Sequence, residues 1–215
     1  MQLPTPEQMS YFEQAVTQYQ SDLEADTAAQ VYLAGRGISP AAARTYRLGV
    51  VRRPVLGHER YGGRLSIPYL TPSGVVCVSF RCIQQHSCKD FEKHAKYLAI
   101  ENVDRTLYNV LDLKKDSPRI YLVEGELDAL TWSMNGWPTI GIPGAASFKD
   151  YYGRVFADYA EVFALCDGDE AGYKLGSFLA KEVRAHVIRL PRGEDGNSLY
   201  VKGGRDALER VLSVA

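Results

Sequence analysis

From Arg119 onward, short β-rich runs alternate with helical stretches, and no other feature narrows the fold as much. Ile120–Val123, Thr139–Ile142, Val162–Cys166 and Ala185–Leu190 read as strands. Leu127–Asn135 and Ala171–Arg184 read as helices between them, and Phe148–Tyr159 as a further helical stretch. Strands joined by helical crossovers form a mostly parallel sheet. In an open parallel sheet, ligands bind beyond the carboxyl ends of the strands.

Acidic residues stand at those ends. Glu124-Gly125 follows the first strand, Asp167-Gly168-Asp169 the third, and Asp195 comes just after the fourth. Asp128 is one helical turn past Glu124, so both can face one site. Carboxylate oxygens are natural ligands for Mg2+ or Mn2+, and two such ions can clamp the attacking and leaving oxygens of a phosphoryl transfer. Gly125 and Gly168 allow sharp backbone turns beside the acids. A lone Asp-x-Asp pair is most often a loop or a cap. The ordered set of acids after successive strands is the informative signal.

The preceding part of the chain has a different texture. Residues 7–35 show helical spacing of apolar residues, and Gly35-Arg36-Gly37 supplies a stop. Ser39-Pro40 is an N-cap and first-turn pair for a short helix through Tyr46. Leu65–Tyr69 alternates like a strand, Pro72-Ser73-Gly74 is a turn, and Val75–Ile83 is a β-rich run. Residues 84–95 read as a loop, Lys96–Ile100 as a short extended piece, and Leu107–Leu113 as a short helix. The expected boundary lies at Lys114–Pro118, giving subdomains of residues 1–115 and 116–215.

Charge separates the same two parts. Residues 36–96 carry eleven Arg or Lys against three acids, a net of +8, whereas residues 116–215 net −4 with eleven bases and fifteen acids. A basic lobe beside an acidic one fits a polyanion-binding surface next to a metal site. A basic solvated face is the plainer reading of the charge alone. No apolar run approaches the ~18 residues of a membrane span, and Met1–Pro6 lacks the basic start and apolar stretch of a leader. A cytoplasmic, reduced protein is expected. Cys77, Cys82, Cys88 and Cys166 form no Cys-x-x-Cys pair. Cys77, Cys82, His86 and Cys88 offer zinc-ligand chemistry. However, Cys77 and Cys82 are an odd number of residues apart on one expected strand and point to opposite faces. Buried or incidental cysteines are the better reading, with Cys166 in the core, and no zinc is expected.

The order Glu124-Gly-Glu-Leu-Asp128, Gly141-Ile-Pro-Gly144, Asp167-Gly-Asp169-Glu-Ala-Gly172 resembles a TOPRIM domain. That domain is shared by bacterial-type primases, type IA and II topoisomerases, OLD-family nucleases and RecR proteins. Within this group the resemblance is to DnaG-type primases, whose motif has the form Asp-Gly-Asp-x-Ala-Gly. Leu190-Pro-Arg-Gly-Glu-Asp195 resembles the next motif of those primases, although Gly196, Asn197 and Ser198 depart from its final Pro-Asp-Glu. Tyr32–Ile38, Tyr46-Arg-Leu-Gly49, Gly63-Arg64-Leu-Ser-Ile-Pro68, Val78-Ser-Phe-Arg81 and Lys96-Tyr-Leu98 resemble successive pieces of the primase catalytic core. The similarity runs over roughly residues 30–200.

The resemblance implies an α/β fold: an α+β basic subdomain for binding nucleic acid and NTP, then a TOPRIM Rossmann-like parallel sheet with flanking helices. It implies a nucleotidyltransferase that makes short RNA primers from NTPs on single-stranded DNA during DNA replication. Glu124, Asp167 and Asp169 would be catalytic. Those three with Asp128 and Asp195 would hold two or more Mg2+ or Mn2+ ions. Arg64, Arg81 and Lys96 would line a basic cleft facing the metals and hold template or triphosphate. Such primases normally begin with a zinc ribbon, and no Cys/His spacing of that kind stands at the start. A minimal core of phage or mobile-element type is expected, working in the host cytoplasm. A replicative helicase or a separate zinc-binding template-recognition protein would be its partner. A TOPRIM metal-dependent nuclease and a non-catalytic nucleic-acid-binding module are the competing readings. Residues 1–29 match no part of the pattern.

Overall fold

The computed structural model describes residues 3–92, 94–101, 103–144 and 148–213. Lys93, one of the eleven basic residues counted above, lies outside them. The chain divides into two compact units, residues 1–105 and 106–215.

The first unit begins with helix α1 (Pro6–Glu24). Thr5 caps it in a reciprocal capping box with Gln8, and Pro6 presets the first turn. Phe12, Ala15, Val16, Tyr19 and Leu23 form its buried stripe, which packs against the sheet of this unit. The single helix expected over residues 7–35 is two helices. The chain breaks at Ala25, and Asp26 caps α2 (Thr27–Gly35) by accepting from the Ala29 amide at 2.9 Å. The apolar period continues across the break, so periodicity alone hides it. Ser39 caps α3 (Pro40–Thr45) through the Ala42 amide, as its sequence indicates.

The sheet of this unit has four antiparallel strands in the order β1 (Gly49–Val50), β2 (Leu65–Thr71), β3 (Gly74–Arg81) and β4 (Tyr97–Ala99). Leu65 stands opposite Arg81, and Arg81 in turn opposite Tyr97. A bulge between Tyr69 and Leu70 shifts the register of β2 toward the Thr71–Gly74 turn. Tyr61 stacks on Phe80 with ring centroids 3.9 Å apart, and His58 hydrogen-bonds the Tyr19 hydroxyl at 2.8 Å.

The second unit is built on four parallel strands in the spatial order β6-β5-β7-β8, with β5 (Arg119–Glu124), β6 (Thr139–Ile142), β7 (Glu161–Cys166) and β8 (His186–Arg189). Helices α4 (Glu126–Met134), α5 (Glu170–Val183) and α6 (Gly196–Leu212) accompany them. Ile120, Leu122, Ile140, Ile142, Val162, Ala164 and Cys166 form the sheet's share of one core cluster, and Leu175 and Leu179 of α5 close over it. Cys166 is therefore core, as expected.

The helical stretches expected at Leu107–Leu113 and Phe148–Tyr159 are shorter 3-10 turns, Val110–Lys114 and Asp150–Phe156. Residues 106–115, assigned by sequence to the basic part, belong to this second unit. Tyr108 exchanges backbone hydrogen bonds with Gly141, and Leu107 joins the core cluster. The buried Asp112 accepts from the Ser133 hydroxyl at 2.6 Å and the Thr139 amide at 2.8 Å. Helix α6 has no counterpart in the sequence reading. Its geometry breaks at Gly203-Gly204, which interrupts the apolar period.

The Asp26 side chain caps the start of α2 at its division from α1. Asp26→Ala is expected to lower unfolding free energy by about 1 kcal/mol in a urea titration, and Asp26→Asn to lower it far less. Equal losses in the two variants would show that the cap does not set this break.

Candidate active site

In the order β6-β5-β7-β8, the chain leaves β5 for a neighbour on one side and returns to a neighbour on the other. The switch point of the sheet thus lies between β5 and β7, the place where open α/β sheets bind ligands beyond the strand ends. Val123 is paired with Leu165. Glu124 and Asp167 follow within two residues of that pair, at the same edge.

Glu124 is the last residue of β5, and Gly125 at φ +89° turns the chain into α4. Asp128 in the first turn of α4 comes back toward the same edge. Its Oδ1 accepts from the backbone amide of Asn197 at 2.9 Å. On the other side of the switch point, Asp167 leaves β7 and Asp169 caps α5, accepting from the Gly172 amide at 2.9 Å.

Asp195 is delivered by a backbone clasp. The Gly168 amide donates to the Glu194 carbonyl at 2.9 Å, and the Gly193 amide donates to the Gly168 carbonyl at 3.0 Å. A β-carbon on Gly168 would stand 2.0 Å from the Pro191 carbonyl oxygen, so only glycine permits this approach. Asp195 then caps α6 and accepts from the Ser198 amide at 2.6 Å.

Asp167 is half-buried. Burial first, and then the charges of Asp128, Asp195, Glu124 and Asp169, push its carboxyl up to about 8. Glu124 is also raised, by burial and then by Asp169. The other four acids singled out from the sequence therefore lie within electrostatic reach of Asp167, and their repulsion of its charge is a cost of the fold. A divalent cation relieves that cost, and an all-oxygen donor set suits Mg2+ or Mn2+. Cys166, raised to about 11 chiefly by burial, remains a thiol behind them.

The residues that depart from the primase pattern are structural. Asn197 is buried, and its side chain donates to the Thr131 hydroxyl at 2.9 Å while its amide holds Asp128. A β-carbon on Gly196 would meet the Trp132 indole nitrogen at 2.3 Å. Ser198 completes the capping box of Asp195. Asn197 thus orients an acid of the cluster. No spacing rule in the sequence points to it, since it acts through a backbone amide 69 residues from its partner.

In the first unit, Arg64 and Arg81 are buried at 8% and 6% exposure. Arg64 donates to the Ala95 carbonyl at 2.9 Å. Arg81 donates to the hydroxyls of Tyr32 and Tyr97 and lies 4.9 Å from the centroid of the Tyr97 ring. Lys96 is exposed, and its carbonyl accepts from the Cys82 amide at 2.8 Å. Cys77, on β3, is fully buried. Against the expectation of incidental cysteines, Cys82, His86 and Cys88 converge, and His94 joins them.

No protein-family model matches the chain. The fold is that of the DnaG-type primase catalytic core. The structure of a DnaG primase catalytic domain bound to single-stranded DNA superposes with a TM-score of 0.75 at 22% identity, covering 96% of this chain and 77% of that one. By sequence, the chain belongs to the family of the Gene 57 protein of Mycobacterium phage D29. The two are 37% identical over 153 residues, which is 70% of this chain and 99% of the phage protein. A DNA primase of Pseudomonas aeruginosa is 27% identical over 116 residues, a stretch covering half of this chain but only 18% of the bacterial protein.

The raised carboxyl of Asp167 sets a pH dependence. Between about 4 and 8 the folded chain retains a proton that the unfolded chain has released. Stability accordingly falls as pH rises through that window and stays low above it. Added Mn2+ is expected to raise the melting temperature more at pH 8 than at pH 5.5. Asp167→Asn should stabilise the metal-free protein at pH 8 and remove most of the Mn2+ increment. Equal Mn2+ shifts in wild type and variant, measured by differential scanning fluorimetry, would contradict a shared carboxylate site.

Proposed function

We propose that this chain is the catalytic core of a DNA primase, a metal-dependent nucleotidyltransferase that joins NTPs into short RNA primers on single-stranded DNA. One observation carries the reading: five carboxylates gather at the switch point of a TOPRIM sheet, in a chain with the DnaG catalytic-core fold. The single-stranded DNA bound to the DnaG domain compared above supports the choice of template. The kinship with a phage protein supports a role in phage DNA replication, in the cytoplasm of the host. No helix among the described residues is long and apolar enough to cross a membrane.

In the proposed reaction a 3′-hydroxyl oxygen attacks the α-phosphorus of an incoming NTP. The new P–O bond forms as the bond to pyrophosphate breaks. Asp167 and Asp169 would hold two or more Mg2+ or Mn2+ ions, with Asp128 and Asp195 completing the set. When bound, these ions neutralise the triphosphate and make the hydroxyl easier to ionise. Glu124 is a ligand or receives the hydroxyl proton. Asn197 positions Asp128. Lys96, exposed on the basic unit, is the phosphate contact we favour. Arg64 and Arg81, already engaged in hydrogen bonds, hold phosphate with their remaining donors while ordering the strands beside Lys96.

The test is synthesis of radiolabelled oligoribonucleotides on single-stranded DNA with Mg2+ or Mn2+. Asp167→Ala should reduce synthesis by more than the ~10–100-fold that loss of an outer-shell partner costs a metal site. Wild type that makes no primers under either metal, with or without a replicative helicase, overturns the reading. Metal-dependent nicking of plasmid by that same protein would replace the polymerase with a nuclease. For the basic unit, Lys96→Ala should lower the salt slope of single-stranded DNA binding by about 0.7, one phosphate contact, with little change in melting temperature. An unchanged slope would remove Lys96 from the DNA surface.

A further inference from the structure

The chain between β3 and β4, residues 82–96, has little to hold it by hydrophobic burial. Among the described residues its helical element is a 3-10 turn, Cys88–Asp90. Of its two large apolar residues, Ile83 is half-buried and Phe91 is 54% exposed. Connections of about this length without secondary structure of their own need another source of order. The base of the loop is fixed, because the Cys82 amide donates to the Lys96 carbonyl at 2.8 Å and Arg64 holds the Ala95 carbonyl.

Four soft or borderline ligands gather inside it. One ligand atom each from Cys82, His86, Cys88 and His94 lies within 4.8 Å of the other three. The His86 Nε2 is 3.7 Å from the Cys82 sulfur and 3.6 Å from the Cys88 sulfur. The His94 Nε2 is 3.2 Å from the Cys82 sulfur. In a tetrahedral zinc site, bonds of ~2.3 Å to sulfur and ~2.05 Å to nitrogen put neighbouring S and N ligands about 3.6 Å apart. The three separations bracket that spacing. The two imidazole rings meet edge to face at 4.7 Å between centroids rather than stacking, so both ring nitrogens can point to one centre.

We propose that Cys82, His86, Cys88 and His94 bind one zinc ion, in a structural site distinct from the carboxylate centre. Two thiolates and two neutral imidazoles select Zn2+ over Mg2+ or Mn2+, and balance its charge. Four protein ligands fill a tetrahedral shell and leave no position for a reacting water, so the role is to fold the loop. The spacing Cys-x3-His-x-Cys-x5-His interleaves the ligand types, unlike the paired Cys and His motifs of zinc fingers. His94 is immediately followed by Ala95 and Lys96, so the ion would anchor the segment that meets Arg64 and presents Lys96. The proposal stands whether or not the chain polymerises nucleotides.

The test uses the full chain, expressed with zinc and purified without chelator. Wild type should carry about one zinc per chain by plasma mass spectrometry. Replacing it with Co2+ should give the visible absorption bands of a tetrahedral site and near-ultraviolet thiolate charge transfer. The pair Cys82→Ser with His94→Ala should lose the metal and the spectrum. Cys77→Ser with Cys166→Ser should keep both. If the first variant does not fold, titrating Co2+ into the metal-stripped wild type still decides the matter, through the appearance or absence of the tetrahedral bands. Wild type with no retained zinc and no tetrahedral cobalt spectrum overturns the site, and so does zinc kept in full by the Cys82/His94 variant.

Discussion

Parallel pairing of β5 with β7 is the constraint on which the acidic centre depends. With Val123 opposite Leu165, Glu124 and Asp167 leave the sheet side by side. Each flanking acid is then brought in by a separate local device. Helix α4 returns Asp128, the Asp169 cap starts α5, and the Gly168 clasp draws in Asp195. The sheet is the rigid part, held by a core of Ile120, Leu122, Ile140, Ile142 and Ala164. The acids sit at its rim, where strands end and helices begin, and where backbone geometry permits close approach.

That arrangement is unfavourable by itself. Five acids share one edge, and the half-buried Asp167 carries the consequence, its carboxyl raised to about 8. Asp169 and Asp195 offset part of the strain by capping α5 and α6, where helix N-termini favour negative charge. The remainder is left for a cation to neutralise. Backbone amides donate to Asp128, Asp169 and Asp195, which orients each carboxylate without cancelling its charge.

Much of this was legible in the sequence for physical reasons. Apolar runs such as Ile120–Val123 and Val162–Cys166 mark buried parallel strands, and acids placed directly after them mark the ligand edge. Ser39-Pro40 announced α3 because capping is a local interaction. What escaped was set by distant contacts or by interrupted periods. Asp26 splits an apparently continuous helix, and Gly203-Gly204 breaks the pattern of α6. Residues 106–115 joined the second unit through Tyr108 and Gly141, a pairing across 33 positions that no local signal carries. His94 was missed among the zinc-type ligands because strand parity was applied to Cys77, while the convergence runs through a loop.

The central claim, that Asp167 and its neighbours form one divalent-metal centre, is tested most directly by anomalous diffraction from crystals soaked in Mn2+. A strong peak is expected at the edge between β5 and β7, at coordination distance from an Asp167 oxygen and in reach of Glu124 or Asp169. Manganese bound only at other carboxylates, or no peak beside Asp167 at saturating Mn2+, would contradict it.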